Sequence, residues 1–306
     1  MNWLYFETVR RMWTSNSFWR RHWKKTLEMF FVMIGATWSF AEILGLVIDL
    51  KTQHSIMLFS IIFGSGICGA AYAIWPKLSI STRMPDRDVT VRIVVGDLFA
   101  QEGALIIGAS RTFTTEFNGY IDEGSIQGQF TRKYYNGADM RLRDEIMAEL
   151  VHLPTEQVPD IKNAELFHVH YPLGTVARVT AVGRTAYLLG FVKQTGEKVG
   201  EATLPELRKA LGMLWPYVMA SPGMEPLVTP VLGSNFARIK TNHLQLVQEI
   251  ANSFVEAASR SQFTKQLTIV ISPNDYFRDE SLELGELSNY ISLICRHPEL
   301  VARETT

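Results

Sequence analysis

The chain has 306 residues and a formal net charge of −1, too long for one small domain and suited to a membrane unit joined to a globular domain of about 200 residues. The near-neutral total hides an asymmetry: residues 1–28 hold six Lys/Arg and two Glu, a local +4, which leaves −5 for the remainder. That basic end is too short and too aromatic to argue for nucleic acid, and the two cysteines, Cys68 and Cys295, exclude a disulfide framework and agree with a reducing compartment.

Residues 1–28 gather Trp3, Trp13, Trp19 and Trp23, four of the seven tryptophans, among those basic side chains. Trp favours the headgroup level and Lys/Arg the cytoplasmic leaflet. The segment reads as a helix lying on the inner membrane surface; the alternative is an unordered basic leader. Two apolar stretches of twenty residues follow, Met29–Ile48 and Ile56–Trp75, joined by a link centred on Leu50–His54. At about 1.5 Å per residue, such a helix covers the roughly 30 Å hydrocarbon core of a bilayer. The second stretch holds no charge and the first only Glu42. Residues 29–76 are therefore expected to form a transmembrane hairpin. Arg20, Arg21, Lys24 and Lys25 flank the first span, and Lys77, Arg83 and Arg87 follow the second, whereas the link has only Lys51 beside Asp49. The positive-inside bias puts both chain ends in the cytoplasm. The apolar stretch starts too far in, and lacks a small-x-small site, for a cleaved signal peptide.

Small residues recur at four-residue spacing in the spans: Ser60/Gly64, Ser65/Gly69 and Gly66/Ala70 in the second, Thr37/Ala41/Gly45 in the first. Such rows let helices approach closely in lipid. Two readings stay open, an anchor whose helices pack on each other and an oligomeric, pore-like assembly. Glu42 favours the second, because a carboxylate within a span usually faces protein or water, although helical rise places it only about 10 Å from the outer end of its helix.

Residues 77–88 read as a polar connector and 89–306 as an α/β domain. Val89–Val95 is a continuous β-branched run, as a buried strand should be, and it ends in Gly96-Asp97-Leu98-Phe99. Ala104–Ile107 is a second strand, ending in Gly108-Ala109-Ser110. Helices are expected from Ser125 and over Asp139–Val151. Val176–Val182 and Ala186–Lys193 pair across a turn at Gly183-Arg184. Leu204–Val218 is helical, Pro226–Leu232 is a strand delivering Gly233-Ser234-Asn235, His243–Ala258 is an amphipathic helix and Gln266–Ser272 a late buried strand. The alternation predicts a mixed sheet with helices on both faces.

Three of these segments carry a resemblance. Val94-Val95-Gly96-Asp97-Leu98-Phe99, Ser125-Ile126-Gln127-Gly128-Gln129-Phe130 and Pro230–Arg238 resemble the macro-like domain of Thoeris ThsA-type antiphage effectors, in which that domain follows two transmembrane helices. The resemblance implies a macro-like α/β fold, a mixed sheet between helices, C-terminal to an α-helical transmembrane hairpin. It implies a sensor rather than an enzyme, with no cofactor. The expected ligand is an ADP-ribose derivative, histidine–ADP-ribose, made by a partner TIR-domain enzyme that consumes NAD. Binding is expected to trigger oligomer-driven disruption of the bacterial inner membrane and abortive infection. Alternatives are a membrane-tethered ADP-ribosyl hydrolase and a passive ADP-ribose-binding scaffold.

The resemblance also implies roles for single residues. Asp97 would accept a hydrogen bond from the adenine amino group; otherwise it caps the next turn. Leu98 and Phe99 would support the purine, or fill core. Gly233, Ser234 and Asn235 form the phosphate-loop candidate, since glycine lets backbone N–H groups approach an anion and a following helix start adds a favourable dipole; Phe236 and Arg238 extend it. Asn235 stands where a second glycine is common, but Asn tolerates left-handed geometry. Ser125–Gly128 would supply the opposing helix start, with Gln127 and Gly128 at the ligand, or else Ser125 is an ordinary N-cap. Ser110, Arg111 and Phe113 occupy the place of the Asn-rich segment of ADP-ribosyl hydrolases, which argues against hydrolysis; Ser110 is counted with the ligand site. Tyr276, after the last strand, would stack on adenine, with Phe277 equally a core aromatic. His168 and His170 alternate on one strand face, yet no companion ligand at a telling spacing supports a metal.

Overall fold

A computed structural model describes residues 9–10, 14, 16–45, 55–73, 75, 78–117, 120–159, 167–196, 199–221, 223–234, 239–279 and 281–302. The chain divides into two compact units, Met1–Lys77 and Leu78–Thr306. In the first, α1 (Asn16–Gly45) packs on α2 (Ser55–Ala73). Helix α1 begins within the segment read as interfacial: no glycine or proline interrupts 16–28, so the helix continues into the apolar stretch. Within α1, Trp23–Ile43 is long and apolar enough to cross a membrane, and the apolar part of α2, Phe59–Tyr72, is shorter. Among the described residues one helix therefore meets the length for a crossing. The link around 50–54 and Trp3 and Trp13 lie outside the described residues.

Small residues set how α1 and α2 meet. A Cβ on Gly66 would lie 2.8 Å from Ile34 and 2.9 Å from Phe30, and one on Gly69 would overlap Met33. Thr37 and Ser65 hydrogen bond across the pair at 2.8 Å, and Phe30 meets Phe63 edge to face. Gly64 instead faces open space, so the Ser65/Gly69 and Gly66 positions serve this contact and Gly64 does not. Phe31, Trp38, Phe40, Ile43, Phe59, Ile61 and Ile67 point outward, an apolar surface suited to lipid rather than water. Glu42 is exposed too.

The second unit is built on an eight-stranded sheet among the described residues. Its strands are β1 (Ser79–Arg83), β2 (Thr90–Val95), β3 (Ala104–Ser110), β6 (Thr175–Ala181), β7 (Arg184–Gly196), β8 (Val199–Glu201), β9 (Leu227–Pro230) and β10 (Gln266–Ile271). The order is β1-β2-β10-β9-β3-β7-β6, with β8 also on β7. The five central strands, β2, β10, β9, β3 and β7, are mutually parallel, and β1, β6 and β8 are antiparallel to their neighbours. The stretch read as a connector thus carries an edge strand. Ser79–Arg83 alternates exposed and half-buried residues, a pattern too polar to announce a strand, and only pairing with β2 makes it one. A separate hairpin, β4 (Glu156–Pro159) with β5 (Phe167–His170), stands off the main sheet.

Helices cover both faces. Under α3 (Ile126–Tyr135) and α4 (Asp139–Leu150), Phe130, Leu142, Ile146 and Leu150 pack on Leu105, Ile107, Ala177, Val179 and Leu188. The alternate side chains face α5 (Leu204–Ala220), where Tyr187 meets Tyr217 edge to face, and α6 (His243–Arg260), where Trp215 meets Phe254. The chain closes with α7 (Pro273–Arg278), α8 (Leu284–Arg296) and α9 (Glu299–Ala302). Helix starts carry the caps their sequences offer: Ser125 on α3, Thr203 with Glu206 as a capping box on α5, Asn242 on α6 and Ser272 on α7. The mixed sheet between helices expected for a macro-like domain is present.

Candidate ligand-binding site

Parallel strands deliver their carboxyl ends to one edge, where loops leave a crevice for ligands. A cleft of about 230 Å³ lies on that edge. Its wall follows the sheet from Asp97 after β2, past Ser272 and Asp275 after β10 and Leu232–Ser234 after β9, to Ser110 at the end of β3 and Phe191 in β7. The first turn of α3 and the residues 120–122 close the opposite side.

Asp97 does cap the next turn: its Oδ1 accepts from the Phe99 amide at 2.9 Å, holding the short 3-10 turn Leu98–Ala100. One oxygen is used locally, and the residue is exposed and lines the cleft. Leu98 and Phe99 likewise belong to the core and the cleft wall, Phe99 lying 6.2 Å from the Tyr134 ring. The loop 97–103 is held from below by Arg184. Its guanidinium donates to Gly103 O at 2.9 Å, Phe99 O at 3.2 Å, Gln101 O at 2.5 Å and Tyr134 Oη at 2.8 Å. A residue read as half of a turn is therefore the support of the Asp97 end.

At the other end, Ala109 pairs with Gly190 but Ser110 with Val192, so Phe191 is the extra residue of a β-bulge that turns it into the cleft. Ser110 is buried, and its Oγ lies 2.7 Å from Thr112 Oγ1, which donates to Gln194 Oε1 at 3.1 Å. Arg111 turns away: it donates to Tyr171 O at 2.8 Å and pairs with Glu156 at 2.6 Å. Phe113 is core, at φ +49° with its ring over Gly190, whose missing Cβ makes the room. His170 is fully buried with Nε2 2.7 Å from Gln194 O. A carbonyl only accepts, so that nitrogen carries the proton, and burial holds the imidazole's pKa below its ordinary value despite that bond. His168 packs edge to face on Tyr120 of the cleft wall. Among the described residues no cluster of metal-ligating side chains occurs.

Ser125 Oγ accepts from the Gly128 amide at 3.0 Å. Gly128 does not line the cleft; a Cβ there would overlap the backbone of Asp122, so the glycine serves close packing and its N–H is taken. The first-turn amides of Ile126 and Gln127 have no intrahelical acceptor and lie at the cleft with the positive end of the helix. The Gln127 side chain is buried and donates to Thr114 O at 2.8 Å, bracing the 111–117 loop. Gly233 turns at φ +89° and Ser234 Oγ donates to Val231 O at 2.8 Å. Asn235, Phe236 and Arg238 lie outside the described residues. Tyr276 is not among the cleft-lining residues: it follows Asp275 by one residue, about 100° further round α7, and Ser272 and Asp275 stand on the wall instead. Ser272 Oγ donates to Asp275 Oδ2 at 2.8 Å. Below them Asp279 receives the His243 amide at 3.0 Å and faces His243 Nδ1 at 2.9 Å. Burial opposes its ionisation, but hydrogen bonds from Ser281 and His243 prevail and hold its pKa at about 2.

The charged residues among the described lining are Asp97, Asp122 and Asp275, with no Lys or Arg. The positive counterpart among the described lining is the N-terminus of α3. Tyr120, Asp122, Phe191, Val192 and Asp275 were not legible as site residues. Phe191 and Val192 look like any strand, and only the Ser272-Pro273 helix start hinted at Asp275.

A family model described as "Thoeris protein ThsA, Macro domain" matches residues 91–272. Solved structures similar to the chain include the Oceanobacillus iheyensis macrodomain with ADP, at TM-score 0.46 and 12% identity over 70% of this chain and 99% of that one. The same macrodomain with MES bound scores 0.43 at 15% identity over 71% and 100%. A tomato leucine aminopeptidase mutant scores 0.38 at 10% identity over 66% and 35%. No curated protein matches the chain. Since the matched segment runs from β2 to the end of β10 and encloses every described element of the cleft up to Ser272, the chain belongs to the Thoeris ThsA family, with a macro domain as its second unit.

Proposed function

We propose that the cleft binds an ADP-ribose-derived signal, histidine–ADP-ribose made by a TIR-domain enzyme, and that binding drives the N-terminal helices to disrupt the bacterial inner membrane. The observation that carries this reading is the extent of the cleft. It spans the ends of five parallel strands from β2 to β7, and at ~4.8 Å per strand four spacings reach about 19 Å, the length of an extended dinucleotide-like molecule rather than a single nucleoside. Asp97 at one end receives the adenine amino group. The α3 terminus and the Gly233 turn face the diphosphate, and Ser110 and Phe191 meet the far end.

In the membrane, α1 and α2 form a two-span hairpin with the macro domain on the cytoplasmic side. Several copies assemble, and the ligand acts by binding one arrangement of the assembly more tightly than the other. The protein senses and does not turn over its ligand.

Full-length protein in liposomes should release a trapped dye when histidine–ADP-ribose is added and not when AMP is added. No release at saturating ligand overturns the effector reading, and binding without release favours a passive scaffold. Steady liberation of ADP-ribose from an ADP-ribosylated substrate favours the hydrolase. Asp97→Asn keeps a cap acceptor for the Phe99 amide but turns a donor toward adenine, and should weaken ADP-ribose binding roughly tenfold or more by calorimetry.

A further inference from the structure

Resting on the binding reading above, we infer that Asp275 receives the hydroxyls of the adenosine ribose, so that the cleft takes ADP-ribose derivatives with a free 2′-hydroxyl and rejects those carrying a 2′-phosphate. Strand order places the residue. β10 lies between β2 and β9 and is parallel to both. Ile271 at its end pairs with Val95, and its carbonyl accepts from the Gly96 amide at 3.0 Å, which sets Ser272 beside the Asp97 end. On the other side Val270 pairs with Pro230, three residues before the Gly233 turn. A ligand with its adenine at Asp97 and its diphosphate at Gly233 has one ribose between them, and the end of β10 is the strand end between those two. Neighbouring strands are about 4.8 Å apart, so each strand end answers to one segment of the ligand, and Asp275 is the charged side chain that this one carries into the cleft.

Its carboxylate is held in place and only partly committed. The Ser272 hydroxyl donates to Oδ2 at 2.8 Å and accepts from the Asp275 amide at 3.1 Å. Oδ1 stands 3.9 Å from the buried Nε2 of His243, beyond hydrogen-bond reach. That imidazole is itself held, with Nδ1 2.9 Å from Asp279 Oδ2, and so backs Oδ1. Oδ1 keeps its lone pairs for the cleft that Asp275 lines. A ribose hydroxyl donates to such an oxygen. A 2′-phosphate brings acceptors and further negative charge, and the described lining holds Asp97, Asp122 and Asp275 with no Lys or Arg to answer it. A carboxylate that takes the ribose 2′-hydroxyl makes the same choice in dinucleotide-binding folds. Asp275 is thus a specificity-determining residue, and the ligand class is the product of NAD rather than of its 2′-phosphorylated form.

Calorimetry on the full chain in detergent with ADP-ribose and with 2′-phospho-ADP-ribose tests this. Wild type should bind ADP-ribose at least about tenfold more tightly. Asp275→Asn keeps an acceptor for the Ser272 hydroxyl but removes the charge. It should lower ADP-ribose affinity about five- to tenfold, raise that for the 2′-phosphorylated ligand and bring the two within about threefold. Wild type that binds both ligands alike, or an Asp275→Asn that loses affinity for both by the same factor, overturns the assignment while leaving ADP-ribose binding intact. The wild-type comparison needs no variant and decides the matter even where Asp275→Asn does not fold. Wild type indifferent to both ligands overturns the binding reading itself, and this inference with it.

Discussion

Arg184 governs the Asp97 end of the cleft because its donors are answered by the carbonyls of Phe99, Gln101 and Gly103 and by Tyr134. Arg184→Met leaves those half-buried carbonyls without their donors. Urea unfolding should show a loss of about 1–3 kcal/mol, and ADP-ribose should bind more weakly as the 97–103 loop loosens. Arg184→Lys should restore little, since one ammonium cannot reproduce the planar fork. Asp279 gives a pH signature. Its folded pKa of about 2 lies below the ordinary 3.8, so the unfolded chain binds the proton more readily and the contribution to stability is complete above about pH 4 and disappears as pH falls toward about 2. The thermal midpoint of wild type should exceed that of Asp279→Asn at neutral pH, and the gap should close across that acid window; a gap constant with pH would mean that the carboxylate charge does not anchor α7 to α6.

For the elements, the helix pair of the first unit separates two glycines of similar sequence context. Gly69 sits where a side chain would overlap Met33, and Gly64 faces open space. Gly69→Leu should lower the temperature at which the detergent-held chain loses helical circular dichroism, whereas Gly64→Leu should leave it nearly unchanged or raise it, since glycine is a weak helix former. A larger loss from Gly64→Leu would show that this face is occupied by something other than α1, a second copy included. In the macro domain, Phe130 of α3 is fully buried against the sheet. Phe130→Ala should cost about 3–5 kcal/mol in urea unfolding, and because α3 also carries the Ser125 end of the cleft, ligand affinity should fall with it.

At the scale of the whole molecule, the two units make different demands on solvent. The first exposes Phe31, Trp38, Phe40 and Phe59, and the second buries Phe113, Phe130, Phe191, Trp215 and Phe254. Residues 78–306 alone should stay in the supernatant without detergent, while the full chain should sediment with membranes; a full chain that stays in buffer would remove the membrane from the proposed function. The strands β2, β3, β9 and β10 and the helices α6 and α3, with the Ser125 cap of the latter, were legible from hydrophobic period and end signals, because these are properties of neighbouring residues. What the tertiary structure decided was different in kind. The edge strand β1 exists through its partner β2, Gly128 is needed because the Asp122 backbone passes close, and Arg184 matters because a loop eighty residues earlier in the chain folds over it. The cleft itself is a meeting of strand ends far apart in sequence, and the hydrogen bonds that run from Ser110 through Thr112 to Gln194 exist because the β3/β7 pairing brings Gln194 near. Local sequence sets period and propensity, but a site depends on distances, and those are set when the strands find their order in the sheet.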